Sequence, residues 1–233
     1  MRSGTKPFKD YLGSKYHFYQ WIINQIPVHK NYFEVFVGNG AVFNHLKECE
    51  LSVINDADGK VSKVWNSLGI YCSCLHFKDF LPVLNNYGSE AFVYLDPPYP
   101  HSTRKSKHRY NVEMSDKEHE ELLTIADQLN CNIAISSYQN KMYDRLLKDW
   151  RRNEIEVMTR GGKAKESLYM NYDKPTQLHD NRYIGNNFTE RQQIKRKLDR
   201  NYNKITGWEL PEIHTLYNRL TDFLSNTKDP IVK

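Results

Sequence analysis

The sequence predicts an α/β fold: a mostly parallel sheet with helices on both faces, an antiparallel hairpin at one edge and a C-terminal helical extension. Three observations predict it. Short β-prone apolar runs alternate with helical periodicity from residue 32 to residue 150, and strand–helix alternation buries its apolar faces as a parallel sheet between helix layers. The last two β-prone runs lie too close together for a crossover helix, so they are expected to pair antiparallel. Beyond about residue 175 the β-prone runs stop, which divides the chain into a domain over residues 1–175 and a basic helical extension over residues 176–233.

Each element has its own signal. Residues 14–26 place Phe18, Trp21, Ile22 and Ile26 on one helical stripe. Residues 32–37 read as the first strand and 41–48 as the helix after it. Residues 51–55 form a second strand, followed by Val61, Val64, Trp65 and Leu68 at helical spacing. Residues 70–75 form a third strand with Cys72 and Cys74 on one face, and residues 91–95, apolar throughout, a fourth that is buried. Ser115 and Glu118 make a capping box that opens a helix through Leu122, Leu123, Ala126 and Leu129. Residues 132–136 are a fifth strand, and Met142, Tyr143, Leu146, Leu147 and Trp150 mark the next helix. Residues 155–159 and 167–172 are the final strands, joined by a turn at Gly161 and Gly162. In the extension, Thr189 and Gln192 are expected to cap a basic helix, and Pro211 to open a shorter one through Ile213, Leu216, Leu220 and Leu224.

With 233 residues, 26% of them charged and 13% aromatic, the chain has a globular composition. A net charge of +5 permits an anionic partner without demanding one. The distribution says more than the sum. Arg104, Lys105, Lys107 and Arg109 share one loop with no acid among them, and Arg191, Lys195, Arg196, Lys197, Arg200 and Lys204 crowd one helix. No run is apolar enough to cross a membrane and no secretory leader opens the chain, so a soluble, cytoplasmic protein is expected. Cys49, Cys72, Cys74 and Cys131 show no zinc-type spacing and read as buried thiols, with no metal expected.

Four residues carry the most chemistry: Asp96, Pro97, Pro98 and Tyr99, at the end of the fourth strand. Proline fixes φ and has no N–H to donate. The corner therefore presents a carboxylate and carbonyls to an incoming NH2 group, with an aromatic ring beside them to stack on a planar base. Gly38 and Gly40 follow the first strand, where glycine lets the backbone approach a ligand closely. Phe43 stands where a dinucleotide motif would carry its third glycine. Asp56 ends the second strand, placed to accept ribose hydroxyls. Asp58 either caps the following helix or faces the same crevice. Asp79 and Phe80 admit two readings, an acid and ring against an adenine or a helix cap. Gly13 and Lys15, after Tyr11, precede a helix N-terminus in a way that suits a carboxylate or phosphate.

Taken together and in this order, these motifs resemble the Dam-like DNA adenine-N6 methyltransferases, in a compact, phage-type form, over residues 11–172. The resemblance implies a Rossmann-like, S-adenosylmethionine-dependent methyltransferase. It assigns Tyr11, Gly13 and Lys15 to the methionine end of the cofactor and Glu34, Phe36, Gly38 and Gly40 to the cofactor loop. It assigns Asp56 to the ribose, Asp79 and Phe80 to the cofactor adenine, and Asp96, Pro97, Pro98 and Tyr99 to catalysis. The partner implied is DNA, double-stranded with the target adenine flipped out, in a bacterial or phage-infected cell. Arg104, Lys105, Lys107 and Arg109, with Lys195 and Arg196, are the candidate phosphate contacts, against solvated surface charge as the alternative.

The chain departs from the family pattern twice. Val35 stands where the cofactor loop usually has proline. Only fifteen residues separate Phe80 from Asp96, where many members insert a target-recognition segment. Two rival functions share these motifs: a ribosomal-RNA guanine-N2 methyltransferase, which the Tyr11–Lys15 element disfavours, and a catalytically lapsed nucleic-acid-binding module, which the intact acids disfavour.

Overall fold

All five residues of β4 (Ala91–Leu95) are buried, as a continuous apolar strand covered on both faces must be. In this computed structural model, which describes residues 7–9, 11, 13–103, 111–159 and 162–227, β4 sits at the centre of a seven-stranded sheet. On one side lie β1 (Asn31–Glu34), β2 (Leu51–Asn55) and the two-residue β3 (Cys72–Ser73). On the other lie β5 (Asn132–Tyr138), β7 (Gly162–Met170) and the edge strand β6 (Arg151–Thr159). The order is β3-β2-β1-β4-β5-β7-β6. The first five strands pair in parallel, and β7 runs antiparallel to both β5 and β6. The sheet is the mostly parallel one with an edge hairpin that the sequence predicts.

Parallel neighbours require crossovers. Here they are made by α2 (Ala41–His45), α3 (Gly59–Ser67), α4 (Phe77–Phe80) with the 3-10 turns after it, and α5 (Asp116–Asp127). The short α1 (Tyr19–Ile23) precedes β1, and α6 (Lys141–Leu146) leads into the hairpin. The Ser115–Glu118 capping box forms on α5. The core runs from Phe33 and Val93 on the sheet to Phe80, Leu84, Leu122 and Leu123 on the covering turns and helices.

Several boundaries differ from expectation for local reasons. The helix expected over residues 14–26 is broken into a 3-10 turn, Lys15–His17, and α1, because Phe18 leaves helical geometry (φ −145°) and the Lys15 side chain turns inward. The third strand keeps only Cys72 and Ser73, so Cys74 lies past its end and is exposed, and Cys49 is half-buried. Only Cys72 and Cys131 are the buried thiols expected. The hairpin strands are longer than predicted, paired from Arg151–Met170 to Thr159–Gly162. Gly161 lies outside the described residues.

The chain divides into two units, Met1–Asp180 and Asn181–Lys233. The second holds α7 (Phe188–Ile205) and α8 (Leu210–Asn226). The cap of α7 is Asn187, whose side chain accepts from Glu190 N, rather than Thr189. Pro211 does open α8, yet at 17 residues that helix almost matches the 18 of α7. Among the described residues no helix is long and apolar enough to cross a membrane.

Candidate active site at the carboxyl edge of the sheet

Open parallel sheets bind ligands beyond the carboxyl ends of their strands, and a cavity of about 320 Å³ opens beyond β1, β2 and β4. Its wall takes Tyr11, Gly13 and Lys15 from the N-terminal segment and Glu34, Phe36, Gly38 and Gly40 from β1 and its turn. Asp56 comes from beyond β2, and Asp96, Pro97 and Pro98 from beyond β4. Three expected residues are not in the wall. Asp79 is exposed on α4 and Phe80 belongs to the core; Tyr99 is buried behind the cavity at 5% exposure. Arg104, Lys105, Lys107 and Arg109 lie outside the described residues, and Lys195 and Arg196 are exposed on α7 in the second unit.

The turn after β1 depends on both its glycines. Gly38 (φ +46°) and Gly40 (φ +61°) take the left-handed conformation, which other residues enter only at a cost. A Cβ on Gly38 would come 2.6 Å from the Tyr11 ring, and one on Gly40 2.5 Å from the indole of Trp65. Trp65 Nε1 in turn donates to Gly38 O (2.9 Å). Asp56 holds the same turn: its Oδ2 accepts from Gly38 N and its Oδ1 from Asp58 N, each at 2.9 Å. Burial pushes the Asp56 carboxyl up to about 6, against the pull of those two amides. Asp58 caps α3 by accepting from Lys60 N, while its second oxygen accepts from Asn111 (2.8 Å). Glu34 is buried, and its Oε2 accepts from Tyr32 (2.6 Å) and from Phe43 N in α2 (3.0 Å).

The deepest part of the site is a cluster of charges. Lys15 Nζ donates to Asp96 Oδ1 at 2.6 Å and to Gly13 O at 3.1 Å, and it lies 3.6 Å from Glu166 Oε1. Glu166 also accepts from the Tyr99 hydroxyl. Lys15 sits 4.9 Å from the centre of the Tyr99 ring, and Tyr138 meets that ring edge-on at 4.7 Å. Two carboxylates thus share one ammonium in a poorly solvated place. Burial raises both carboxyls above the usual range, and Lys15 opposes the shift. The Asp96 side chain keeps 18% of its surface exposed, against 3% for Glu166. Asp96 is therefore the acid that meets the cavity, and Glu166 the one that holds its neighbours.

Sequence reasoning missed several of these residues. Glu166 lies just before the strand read from sequence at 167–172; in the structure it opens the run of five buried residues that ends β7. His76 and Phe77 line the cavity where Asp79 and Phe80 were expected, because α4 begins at Phe77 and its turn carries Asp79 outward. Phe8 is pinned by reciprocal bonds with Asn39 (3.1 and 3.3 Å) and packs on Tyr11 (5.1 Å), closing one wall.

A mostly parallel sheet whose acid-ended strands open on a glycine turn defines a Rossmann-like methyltransferase domain. The particular family is given by sequence: the D12 class N6 adenine-specific DNA methyltransferase profile matches residues 11–69 and 70–160, and the chain belongs to that family. It is an S-adenosylmethionine-dependent DNA adenine-N6 methyltransferase. Among solved structures the chain is similar to a SAM-dependent methyltransferase from Agrobacterium tumefaciens (14% identity, 66% of this chain and 59% of that one, TM-score 0.41). It is also similar to an rRNA methylase from Streptococcus thermophilus (13%, 65% and 92%, 0.39). A third is the T. thermophilus 16S rRNA N2 G1207 methyltransferase in complex with AdoMet and guanosine (12%, 72% and 41%, 0.42). No curated protein matches the chain.

Proposed function

We propose that the enzyme methylates an adenine turned out of duplex DNA at specific sites, and that Asp96 grips the amine that receives the methyl group. The observation that carries this reading is the Asp96 carboxylate, open to the cavity and held through Oδ1 by Lys15 at 2.6 Å. The exocyclic nitrogen of adenine is a weak nucleophile because its lone pair is delocalised into the ring. Hydrogen bonds from the amine to the second Asp96 oxygen and to the Pro97 carbonyl favour a tetrahedral nitrogen and localise the pair. Lys15 favours the accepting, ionised form of Asp96 against the effect of burial. After transfer the nitrogen releases its proton to Asp96 or to water.

The residues present fit S-adenosylmethionine. Ser14 Oγ is buried and has no hydrogen-bond partner among the described residues, and its residue lines the cavity between Gly13 and Lys15. That donor suits the carboxylate of the methionine end. Asp56 suits the ribose, and Phe36 and Phe77, with ring centres 6.3 Å apart, suit the flat base. When bound, the cofactor supplies an electrophilic methyl on a sulfonium.

Extruding the base costs about a few kcal/mol, and stacking on Tyr99 returns ~1–3 kcal/mol. Stacking requires a face of that ring clear of the Lys15 ammonium, so base entry shifts Lys15 or turns the ring. Phosphate contacts supply the balance, from the loop of Arg104, Lys105, Lys107 and Arg109 and from Lys195 and Arg196 on α7. In this reading residues 1–175 carry the chemistry, the basic extension carries DNA affinity, and the enzyme works in the cytoplasm of a bacterial or phage-infected cell.

Nucleoside mass spectrometry tests the proposal. Unmethylated DNA and RNA are each incubated with the enzyme and S-adenosylmethionine, with Asp96→Ala as control. N6-methyldeoxyadenosine from duplex DNA, absent with Asp96→Ala, is expected. Methylation that survives Asp96→Ala, or methylguanosine from RNA, overturns it.

A further inference from the structure

At the opposite end of the sheet from the cavity, three residues far apart in sequence converge. His29 precedes β1, Cys49 precedes β2, and His179 follows β7. One ligand atom from each lies within 4.8 Å of the other two. We propose that His29, Cys49 and His179 bind a zinc ion that ties the end of the first unit to the amino edge of its sheet.

The ring nitrogens carry the argument. His29 is 5% exposed, and its Nε2 is buried without a hydrogen-bond partner among the described residues. An unsatisfied buried polar atom is costly, so a ligand is the expected resolution. Its other nitrogen, Nδ1, lies 2.8 Å from Pro27 O. Donation to that carbonyl leaves the Nε2 lone pair facing the cluster. His179 sets Nε2 3.1 Å from Lys47 O and also meets the Glu48 backbone; donation to Lys47 O makes Nδ1 the atom offered to the ion. A ring N–H given to a backbone carbonyl is the usual support of a metal-bound histidine, because it fixes tautomer and orientation. The Cys49 sulfur lies 3.1 Å from Ser52 Oγ, a hydroxyl able to donate to a thiolate.

The donor set selects the metal. Two imidazoles and a thiolate suit zinc and exclude hard cations such as magnesium and calcium. The Cys49 proton leaves to solvent as the ion binds. Zinc at about 2.0–2.1 Å from nitrogen and 2.3 Å from sulfur needs ligand atoms about 3.3–3.8 Å apart. Binding therefore draws the set together and tilts the two imidazoles from their present stack, with ring centres 3.9 Å apart. The backbone around them is already joined. His179 N donates to Ile26 O (3.1 Å), Pro27 bridges Leu178, and Lys47 N donates to Asp180 Oδ2 (3.0 Å). Solvent fills the fourth position.

The test uses the full chain, stripped with a chelator and titrated with Zn²⁺ against a chromophoric competitor and with Co²⁺ by absorption. One ion per chain is expected, with Kd at or below about 1 μM, a rise in Tm, and a thiolate-to-cobalt charge-transfer band. Cys49→Ser removes the band and weakens zinc by about 100-fold or more. His179→Gln, at a half-buried position with folding checked by circular dichroism, weakens zinc in the same way. Cys74→Ser changes neither reading. Absence of stoichiometric binding, a band that survives Cys49→Ser, or one lost in Cys74→Ser overturns the site. None of these readings depends on methylation activity.

Discussion

Lys15 and Asp96, 81 residues apart, meet at 2.6 Å on the wall of the cavity, with the lysine 6% exposed and the aspartate 18%. The lysine is thus bound to the first residue of the Asp96-Pro97-Pro98-Tyr99 corner. Removing one partner of a buried pair strands the other charge and costs about 3–5 kcal/mol. Lys15→Met is expected to lower kcat by at least about 100-fold, a loss of ~2.7 kcal/mol. With the cation gone, the Asp96 carboxyl, already raised by burial, rises further, so the acid limb of the pH–rate profile moves upward. Lys15→Arg restores the position of that limb even where its bulk lowers the rate. An unmoved limb in Lys15→Met would separate the lysine from Asp96 ionisation.

Tyr99 and Glu166 act through one hydrogen bond. Tyr99→Phe and Glu166→Gln are each expected to lower kcat by about tenfold, with S-adenosylmethionine affinity within about twofold of the parent. Because they share the bond, the double variant should lose no more than either single change. Additive losses would mean that the two residues act independently.

If Asp56 accepts the cofactor ribose as proposed, it should give cofactor binding a pH dependence. Its folded carboxyl titrates near 6, raised by burial from 3.8. A raised acid disfavours the folded state above that pH and is relieved as the pH falls through 6 toward 3.8, so this group does not drive acid unfolding. Binding that uses the ionised form as ribose acceptor should weaken about tenfold from pH ~7 to pH ~5. Asp56→Asn should bind weakly at both and flatten the profile. Calorimetry over that range measures it.

The two glycines of the turn should separate stability from binding. Gly40→Ala meets the fixed indole of Trp65 at 2.5 Å and keeps a positive φ, at a cost of about 2–4 kcal/mol visible as a lower Tm. Gly38→Ala meets Tyr11 at 2.6 Å on the N-terminal wall, which can give way. It should cost about 1–2 kcal/mol and chiefly weaken S-adenosylmethionine binding. Equal losses of Tm would contradict this division.

If α7 lies on DNA phosphates, Lys195→Gln with Arg196→Gln should flatten the dependence of log K on log salt by about 2 and leave steady-state cofactor affinity unchanged. A slope equal to that of the parent would remove these residues from the DNA path.

The sequence by itself determined the strand–helix alternation, the edge hairpin, the Ser115–Glu118 cap and the corner at Asp96, Pro97, Pro98 and Tyr99. Each rests on period, turn chemistry or a contiguous motif, which a linear reading contains. Glu34, Gly38, Gly40 and Asp56 were legible in the same way, as strand-end residues that a parallel sheet gathers at its carboxyl edge. Tertiary structure decided what those residues touch. Lys15 turned to Asp96 and Glu166 because the chain ahead of β1 folds back over the sheet. His76 and Phe77 took the cavity wall because a helix begins there, and two residues further along that helix Asp79 points to the opposite, exposed side. His29, Cys49 and His179 have no spacing to betray them, since only the pairing of distant segments brings their ligand atoms together. A side chain's partner across the fold is set by packing, and packing is a property of the folded chain rather than of any local run of residues.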